Sequence, residues 1–356
     1  MKELEKIRKQ IDEIDEKLIE LMNLRAELVK KVFEIKNKEN KPLFDPSREK
    51  KILERLIKKN KGILKPEDIE VIMETIFKVY RGMFKEIVVA YLGPEGTFTH
   101  QAALNKFGKK ARYISAKTID EVFKEVEKER ADYGVVPIEN SIEGVVTHTL
   151  DVFIESDLKI TSEILLEIHH FLLSKENSID SIKKLYSHPQ ALAQCRNWIS
   201  QNLPDAEIYE TESTTSAVKK ILNEKKSAAI ASEIAASMYN LNIIAERIED
   251  FRENVTRFLV VGKNYSEKTG NDKTSILFSI KDKIGALHDI LVPFKKEGIN
   301  LTRIESRPSK KKAWEYVFFV DFKGHKDEPN VKKALEKVKK STIFLKILGS
   351  YPKEGG

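Results

Sequence analysis

Apolar side chains recur every three or four positions from Leu4 to Ile35. Leu4, Ile7, Ile11, Ile14, Leu18, Leu21, Leu28, Val32 and Ile35 keep that step. It puts them on one stripe of a single long helix, with coiled-coil regularity. The stripe has one gap, Arg25, where the spacing calls for an apolar residue. After the break "NKENKPLF", Asp45 caps a second helix with Pro46 at its first position, and Gly62 ends it. Pro66 opens a third helix reaching about Ile87. Three small helices cannot cover so long a stripe by themselves, so a partner chain is the expected cover.

The pattern then shifts to short apolar runs alternating with amphipathic helices. "IVVAYLG", "YGVVPI", "SAAIAS" and "TRFLVVG" read as strands, and "TIDEVFKEVEKE" as a helix between two of them. That is α/β grammar over residues 88–264. Residues 265–272 are a linker by composition. The last segment, 273–350, reads β-α-β-β-α-β, the order of a small ferredoxin-like module. The fold class expected is therefore multidomain: all-α over 1–87, α/β over 88–264 and α+β at the end.

Composition narrows the function classes. The 356 residues carry 63 basic and 56 acidic side chains, a net charge of +7. The two signs are mixed and no basic tract is interleaved with aromatics, so nucleic acid is not the expected partner. Small anionic substrates need only a few placed cations. No run of about 18 apolar residues exists to span a membrane. The single cysteine, Cys195, suits a reducing cytoplasm and reads most simply as a small core residue.

Two features carry candidate chemistry. Arg25 is either a snorkelling or ion-paired side chain, or part of an anion site. Lys36 lies about 16 Å further along the same face, while Arg8 lies about 25 Å from Arg25. One metabolite cannot touch both arginines unless Arg8 serves an antiparallel partner. Arg48 and Glu49 follow the Asp45 cap, where the helix dipole favours an anion. In the α/β segment, polar islands interrupt apolar runs: "GPEGTFTH", "PIENSIEG", "SHPQALAQC", "ESTTSAV" and "ENVTRFLVV". They offer no Ser-His-Asp set, Walker loop or metal-ligand spacing. What they share is Thr, Ser, Asn and Gln at strand ends. One such island is ordinary cap and turn chemistry. Five together suggest a cleft.

On these residues the first segment resembles the all-helical chorismate mutase family, through Arg8, Arg25, Lys36, Asp45, Arg48 and Glu49. The resemblance implies an intertwined dimer in which each pocket borrows Arg8 from the other chain. Lys36 would donate to the ether oxygen, and Glu49 would anchor the ring hydroxyl. The family places a Ser and a Gln or Glu near the end of the third helix. Here ungapped spacing gives Arg81 and Lys85, and alignment on Phe77 gives Phe84 and Val88. Lys85 could replace the missing donor and Val88 could not, which leaves a weakened mutase as an alternative.

Residues 88–264 resemble prephenate dehydratase, most specifically through Asn140, Ser141 and the Thr-Arg-Phe at 256–258. The resemblance implies two lobes like those of periplasmic binding proteins and a reaction without cofactor or metal. Thr256 would donate the proton to the departing hydroxide. Asn140, Ser187 and Gln194 would orient the substrate and that hydroxyl. Thr97 and Thr99 would help bind a carboxylate, with Ser141, Ser213, Thr214 and Phe258 in the same pocket. Arg257 is either a substrate clamp or an internal ion pair. The tail resembles a phenylalanine-responsive ACT domain: Gly285, Ala286, Leu287 and His288 match one effector motif, and Glu305, Ser306, Arg307 and Pro308 the other. Asn300 and Leu301 would line the far side of the effector. Together these imply a cytoplasmic homodimer or homotetramer taking chorismate and prephenate as substrates and L-phenylalanine as effector. A non-catalytic sensor of aromatic acids is the reading from another class.

Overall fold

The computed structural model describes residues 2–39, 44–84, 86–251, 253–280, 283–308 and 316–354. Helix α1 (Lys2–Lys38) is continuous and runs out along its own axis. Asp45 caps α2 (Pro46–Lys59) by accepting from the Arg48 N–H, and Pro46 occupies the first turn. The cap residue closing α2 is Asn60, two residues before the expected Gly62. Helix α3 (Pro66–Phe84) stops short of Ile87, because Val88 is already paired in a strand. Along α1, Leu4, Ile11, Ile14, Leu21 and Leu28 are each about half exposed, so the described residues leave the stripe uncovered.

The first α/β lobe opens with β1 (Val88–Leu92), β2 (Arg112–Ala116), β3 (Tyr133–Asn140), β4 (Gly144–Val145) and β5 (Lys159–Glu167). The chain then crosses into a second lobe, formed by β6 (Phe171–Ser174), β7 (Lys184–Ser187), β8 (Glu207–Glu210), β9 (Ser227–Ala231) and β10 (Asn242–Ala245). It returns as β11 (Val255–Gly262), which inserts antiparallel between β3 and β5. The sheet orders are β2-β1-β3-β11-β5, with β4 beside β3, and β10-β6-β9-β7-β8. Helices α4 (Phe98–Phe107), α5 (Ile119–Glu127) and α6 (Thr147–Glu155) serve the first lobe. Helices α7 (Pro189–Gln194), α8 (Arg196–Asn202), α9 (Thr214–Ile221) and α10 (Glu233–Tyr239) serve the second. The buried Cys195 sits among Leu172, Leu185 and Ile230, as a core residue should.

The C-terminal sheet contains β12 (Asp272–Ser279), β13 (Leu301–Pro308), β14 (Tyr316–Lys323) and β15 (Phe344–Pro352), ordered β13-β14-β12-β15. Its α11 (Ala286–Lys296) and α12 (Pro329–Ser341) cover one face. The other face packs against the first lobe. Leu277, Phe319, Leu348 and Tyr351 share a single buried cluster with Ile138, Phe153, Ile160 and Leu259 of the first lobe. Each such large side chain contributes roughly 1.5–3 kcal/mol when removed from water. The linker is likewise held: Ser266 donates to the Thr161 carbonyl at 2.6 Å, and Asp272 accepts from the N–H groups of Thr269 and Gly270.

The helical unit docks on the same body. Phe44 sits edge-on to Phe107 and Tyr133, with ring centroids 5.2 and 5.4 Å away. Ser47 of α2 donates to the Glu267 carbonyl and Lys50 to that of Lys353.

Candidate functional site

Strand register builds the cleft between the α/β lobes. Thr256 lies directly opposite Asn140 in the β11–β3 ladder. Asn140 ends β3 and opens the tight turn into β4, so the N–H groups of Ile142 and Glu143 fold back onto its side chain. Its Oδ1 accepts both at 3.0 Å. Those two donors fix the amide's orientation, and the Nδ2 must then donate. It donates to Thr256 Oγ1 at 2.9 Å and to Asn254 Oδ1 at 2.7 Å. Asn254 passes the chain on: its Nδ2 donates to Gln194 Oε1 at 3.1 Å. The same Oε1 accepts from His170 Nε2 at 2.7 Å, and Gln194 Nε2 reaches Glu143 Oε1 at 3.2 Å across the lobes. Thr256 Oγ1 is thus an acceptor within the network. Its one proton is used by no other member of that network.

Every group in that chain except Glu143 is uncharged, and burial keeps it so. Burial pushes the pKa of His170 below its ordinary 6.5, against the opposing pull of Gln194 and Glu249. The neutral ring donates through Nε2, and its buried Nδ1 has no hydrogen-bond partner among the described residues. Asn254 is 1 % exposed and Thr256 9 %, while Ile142 and Phe251 stand exposed at the rim. Asn254, His170 and Glu143 were not singled out as site residues from sequence. Asn254 has a local signal, two positions before Thr256 on the same strand face. His170 has none.

The other sequence-based assignments divide. Ser141 frames the site at the rim, donating to the Glu253 carbonyl at 3.0 Å and accepting from the Val255 N–H. Thr97 caps α4 and donates to the Pro94 carbonyl at 2.9 Å, and Thr99 is buried on that helix. The Gly96 N–H is already spent on His100 Nδ1, so this turn offers an anion fewer donors than expected. Ser187 is not brought to the network: fully buried, it donates to the Ile230 carbonyl within the second sheet. Ser213 caps α9. Thr214 follows it as the first helical residue and makes no bond to the Thr256 chain. The neighbouring Thr215 is the better candidate. Its buried hydroxyl has no hydrogen-bond partner among the described residues and stands across from Gly96 of the first lobe. Phe258 is 2 % exposed in the core with Val89, Tyr91 and Tyr133, and so packs rather than binds. Arg257 is an internal ion pair: its guanidinium meets Glu163 at 2.8 Å and Asp321 at 2.7 Å, away from the cleft.

On the helical unit, Lys36 pairs with Asp45 at 3.2 Å. Arg25 lies over the Tyr80 and Phe77 rings, 4.9 and 5.5 Å from their centroids. The gap in the stripe is therefore filled by a cation held on aromatic faces of α3. Arg48 and Arg8 are exposed, and Arg8 stays far out along α1. Glu49 is engaged by Arg81, which donates to both its oxygens at 2.7 and 2.8 Å. Burial raises the Glu49 pKa more than Arg81 and Lys106 lower it. Arg81 also donates to the Lys106 carbonyl at 2.7 Å, tying this corner to the first lobe. Val88 belongs to β1, so the register that set it on the third helix is wrong. Lys85 and the Phe84 side chain lie outside the described residues.

In the C-terminal module Gly285, at φ +75°, leads into α11, with Ala286 buried, Leu287 half-buried and His288 exposed. Asn300 and Leu301 follow the other end of that 11-residue helix, about 16 Å away at 1.5 Å per residue. Glu305 and Arg307 take the half-buried face of β13, whereas Ser306 and Pro308 are exposed.

Comparison with known proteins accounts for all three segments. The chorismate mutase type II family matches residues 7–83, the prephenate dehydratase family residues 89–266 and the ACT domain family residues 274–340. The bifunctional chorismate mutase/prephenate dehydratase of Aquifex aeolicus is 53% identical, the match covering 99% of both chains. That of Pseudomonas aeruginosa is 45% identical, covering 99% of this chain and 98% of the other. The crystal structure of prephenate dehydratase from Arthrobacter aurescens in complex with L-Phe superposes with a TM-score of 0.70 at 35% identity, covering 75% of this chain and 90% of that one. These matches correct the alternative of a weakened mutase, because the helical segment matches its family as a whole and the two bifunctional relatives align end to end.

Proposed function

The chain belongs to the bifunctional chorismate mutase/prephenate dehydratase family, and from that premise we infer how its residues divide the work. The enzyme acts in phenylalanine biosynthesis: it rearranges chorismate to prephenate and converts prephenate to phenylpyruvate, under regulation by phenylalanine.

The dehydratase step belongs to the Thr256 network. Prephenate loses its ring carboxylate as carbon dioxide. The bonding pair enters the ring, and the C–O bond on the opposite carbon breaks. The departing oxygen takes the Thr256 proton and leaves as water, and the threonine regains a proton from solvent. A threonine hydroxyl is a weak acid, so the anion developing on it needs a donor, which Asn140 Nδ2 supplies at 2.9 Å. That contact carries the assignment. Asn254, Gln194 and His170 hold Asn140 and its neighbours in register. The Thr215 hydroxyl suits one of the substrate carboxylates. The test is direct: purified protein given prephenate forms phenylpyruvate, read by its absorbance in alkali, and Thr256→Ala slows it by about 10³-fold. Full rate in that variant would end the assignment. A non-catalytic sensor has no use for so complete a proton-donor network.

The mutase reaction is pericyclic, so its pocket only has to hold two carboxylates and stabilise charge on the ether oxygen. Arg25, Arg48 and Arg8 of a second copy are the carboxylate ligands, with Lys36 at the ether oxygen and Asp45 holding Lys36. Glu49, kept in place by Arg81, accepts from the ring hydroxyl, and Lys85 is the remaining candidate donor. The uncovered α1 stripe supports a dimer paired through the helical unit over residues 1–87. Gly285 and Asn300, a helix length apart, support an effector bound between two copies of the 273–350 module. Phenylalanine then inhibits the 88–264 unit by shifting a dimer–tetramer equilibrium. None of the described helices is long and apolar enough to cross a membrane, and the cytoplasm is the compartment this reading favours.

A further inference from the structure

Successive residues of a strand face opposite sides of its sheet. In β11, Thr256 faces the cleft and Arg257 faces the C-terminal module. In β3, Asn140 faces the cleft and Glu139 faces the module. The two strands that hold the proton donor and its oriented amide therefore have a second, charged face pressed against another domain.

That face is tightly tied. Arg257 Nη1 meets Asp321 of β14 at 2.7 Å, and its Nη2 donates to the Tyr351 hydroxyl of β15 at 2.9 Å. Ser275 of β12 holds both partners, donating to Asp321 Oδ1 at 2.6 Å and lying 2.7 Å from the Tyr351 hydroxyl. Arg257 Nε bonds Glu163 of β5, whose carboxylate also takes Lys273 at 2.8 Å. Glu139 stands between two arginines, 3.6 Å from Arg303 of β13 and 4.0 Å from Arg257. Strand β13 carries the Glu305–Pro308 motif two residues further on. The void left beside Arg257, Arg303 and Asp321 is only about 10 Å³. An interface so closely packed moves as a unit instead of absorbing a displacement.

We propose that Arg257 is a positioning residue of the dehydratase reaction. Gripped by Asp321 and Tyr351, it sets where β11 presents Thr256. Arg303, through Glu139, sets β3 and Asn140 in the same way, so a shift of the effector strand misaligns donor and amide together. The idea deepens the regulatory reading above and rests on it only for the effector.

The test uses the full-length enzyme with prephenate, comparing wild type, Asp321→Asn and Tyr351→Phe. Misplacement of a catalytic group by a fraction of an ångström lowers kcat about ten-fold in Asp321→Asn and about three-fold in Tyr351→Phe. KM stays within about two-fold, and the deficits persist when the assay is cooled well below the melting temperature. A kcat within two-fold of wild type in both variants overturns the proposal. So does a deficit that disappears on cooling, which is what partial unfolding gives. Tyr351→Phe keeps its ring in the core and remains informative if Asp321→Asn does not fold. In Arg303→Gln, phenylalanine binds with unchanged affinity by calorimetry, yet half-inhibition needs at least about five-fold more of it. Wild-type inhibition in that variant removes the Glu139 branch. A wild-type enzyme that phenylalanine does not inhibit would refute the effector reading, and the kcat comparison would still decide the role of Arg257.

Discussion

The dehydratase cleft and the mutase pocket face the same problem with opposite materials. Both must hold a small dianion whose ring changes its bonding. The cleft is made of amides, hydroxyls and one neutral imidazole, each bonded to the next, and a single chain supplies all of them. The helical unit is made of cations spread along one 37-residue helix and the start of another, with an uncovered apolar stripe between them. The contrast follows from geometry. Strand pairing fixes side chains to within hydrogen-bond distance by register, so neutral groups of short reach suffice. Arginines on a lone helix are up to about 25 Å apart, and only a second helix laid alongside can bring them to one ligand. Neutral donors also release a charged product more readily than a cluster of arginines, which suits the second of two consecutive steps.

Crossed variants give the strongest test of this division. Thr256→Ala should lower dehydratase kcat by about 10³-fold and leave chorismate turnover unchanged. Lys36→Ala should lower mutase kcat by about 10²-fold or more and leave prephenate turnover unchanged. If either variant damages both activities, the sites are not independent. Asn254→Ala comes next. It frees Asn140 and Gln194 at once, and dehydratase kcat should fall by about 10–100-fold with KM little changed. An unaffected rate would mean that Asn140 is held adequately by its two backbone donors.

Smaller effects concern the seam between the catalytic and C-terminal domains. A Cβ added at Gly349 of β15 would lie 2.8 Å from Ile160 Cβ and 2.9 Å from its backbone nitrogen. Gly349→Ala should therefore cost about 1–3 kcal/mol by overpacking and lower the melting temperature. An unchanged melt would show that β15 and β5 can part freely. The last prediction is a pH effect. The folded pKa of His170 is depressed below its ordinary 6.5, so its contribution to stability is complete above that value. It is lost as pH falls below 6.5, because only the unfolded chain then takes up the proton. The slope should reach at most about 1.4 kcal/mol per pH unit. In His170→Gln the melting temperature should vary less between pH 7 and pH 5.5.

The sequence pattern was readable wherever periodicity or a short motif carried the signal. The stripe of α1, the Asp45–Pro46 cap, the β-α-β-β-α-β tail and the convergence of Asn140, Gln194 and Thr256 were all legible. The failures share a cause. Ser187 and Phe258 have suitable side chains near the right motifs, but strand register turned one into its own sheet and the other into the core. His170 has no distinguishing neighbours in sequence, and Thr215 stands in a polar island beside the two residues chosen instead; the meaning of both comes from what lies across the lobes. The same holds for Arg81, whose bond to Glu49 joins the third helix to the second.

Periodicity and composition fixed which segments are helices or strands, which faces are apolar, and that neutral polar groups gather at the strand ends, because these follow from local backbone geometry and side-chain chemistry. Tertiary structure alone decided which of those groups touch. A hydrogen bond needs its partners within about 3 Å, and only the return of β11 between β3 and β5 brings Thr256 that close to Asn140, and Asn254 that close to Gln194. The same return turned Arg257 toward the C-terminal sheet, a link between domains that no stretch of sequence could reveal.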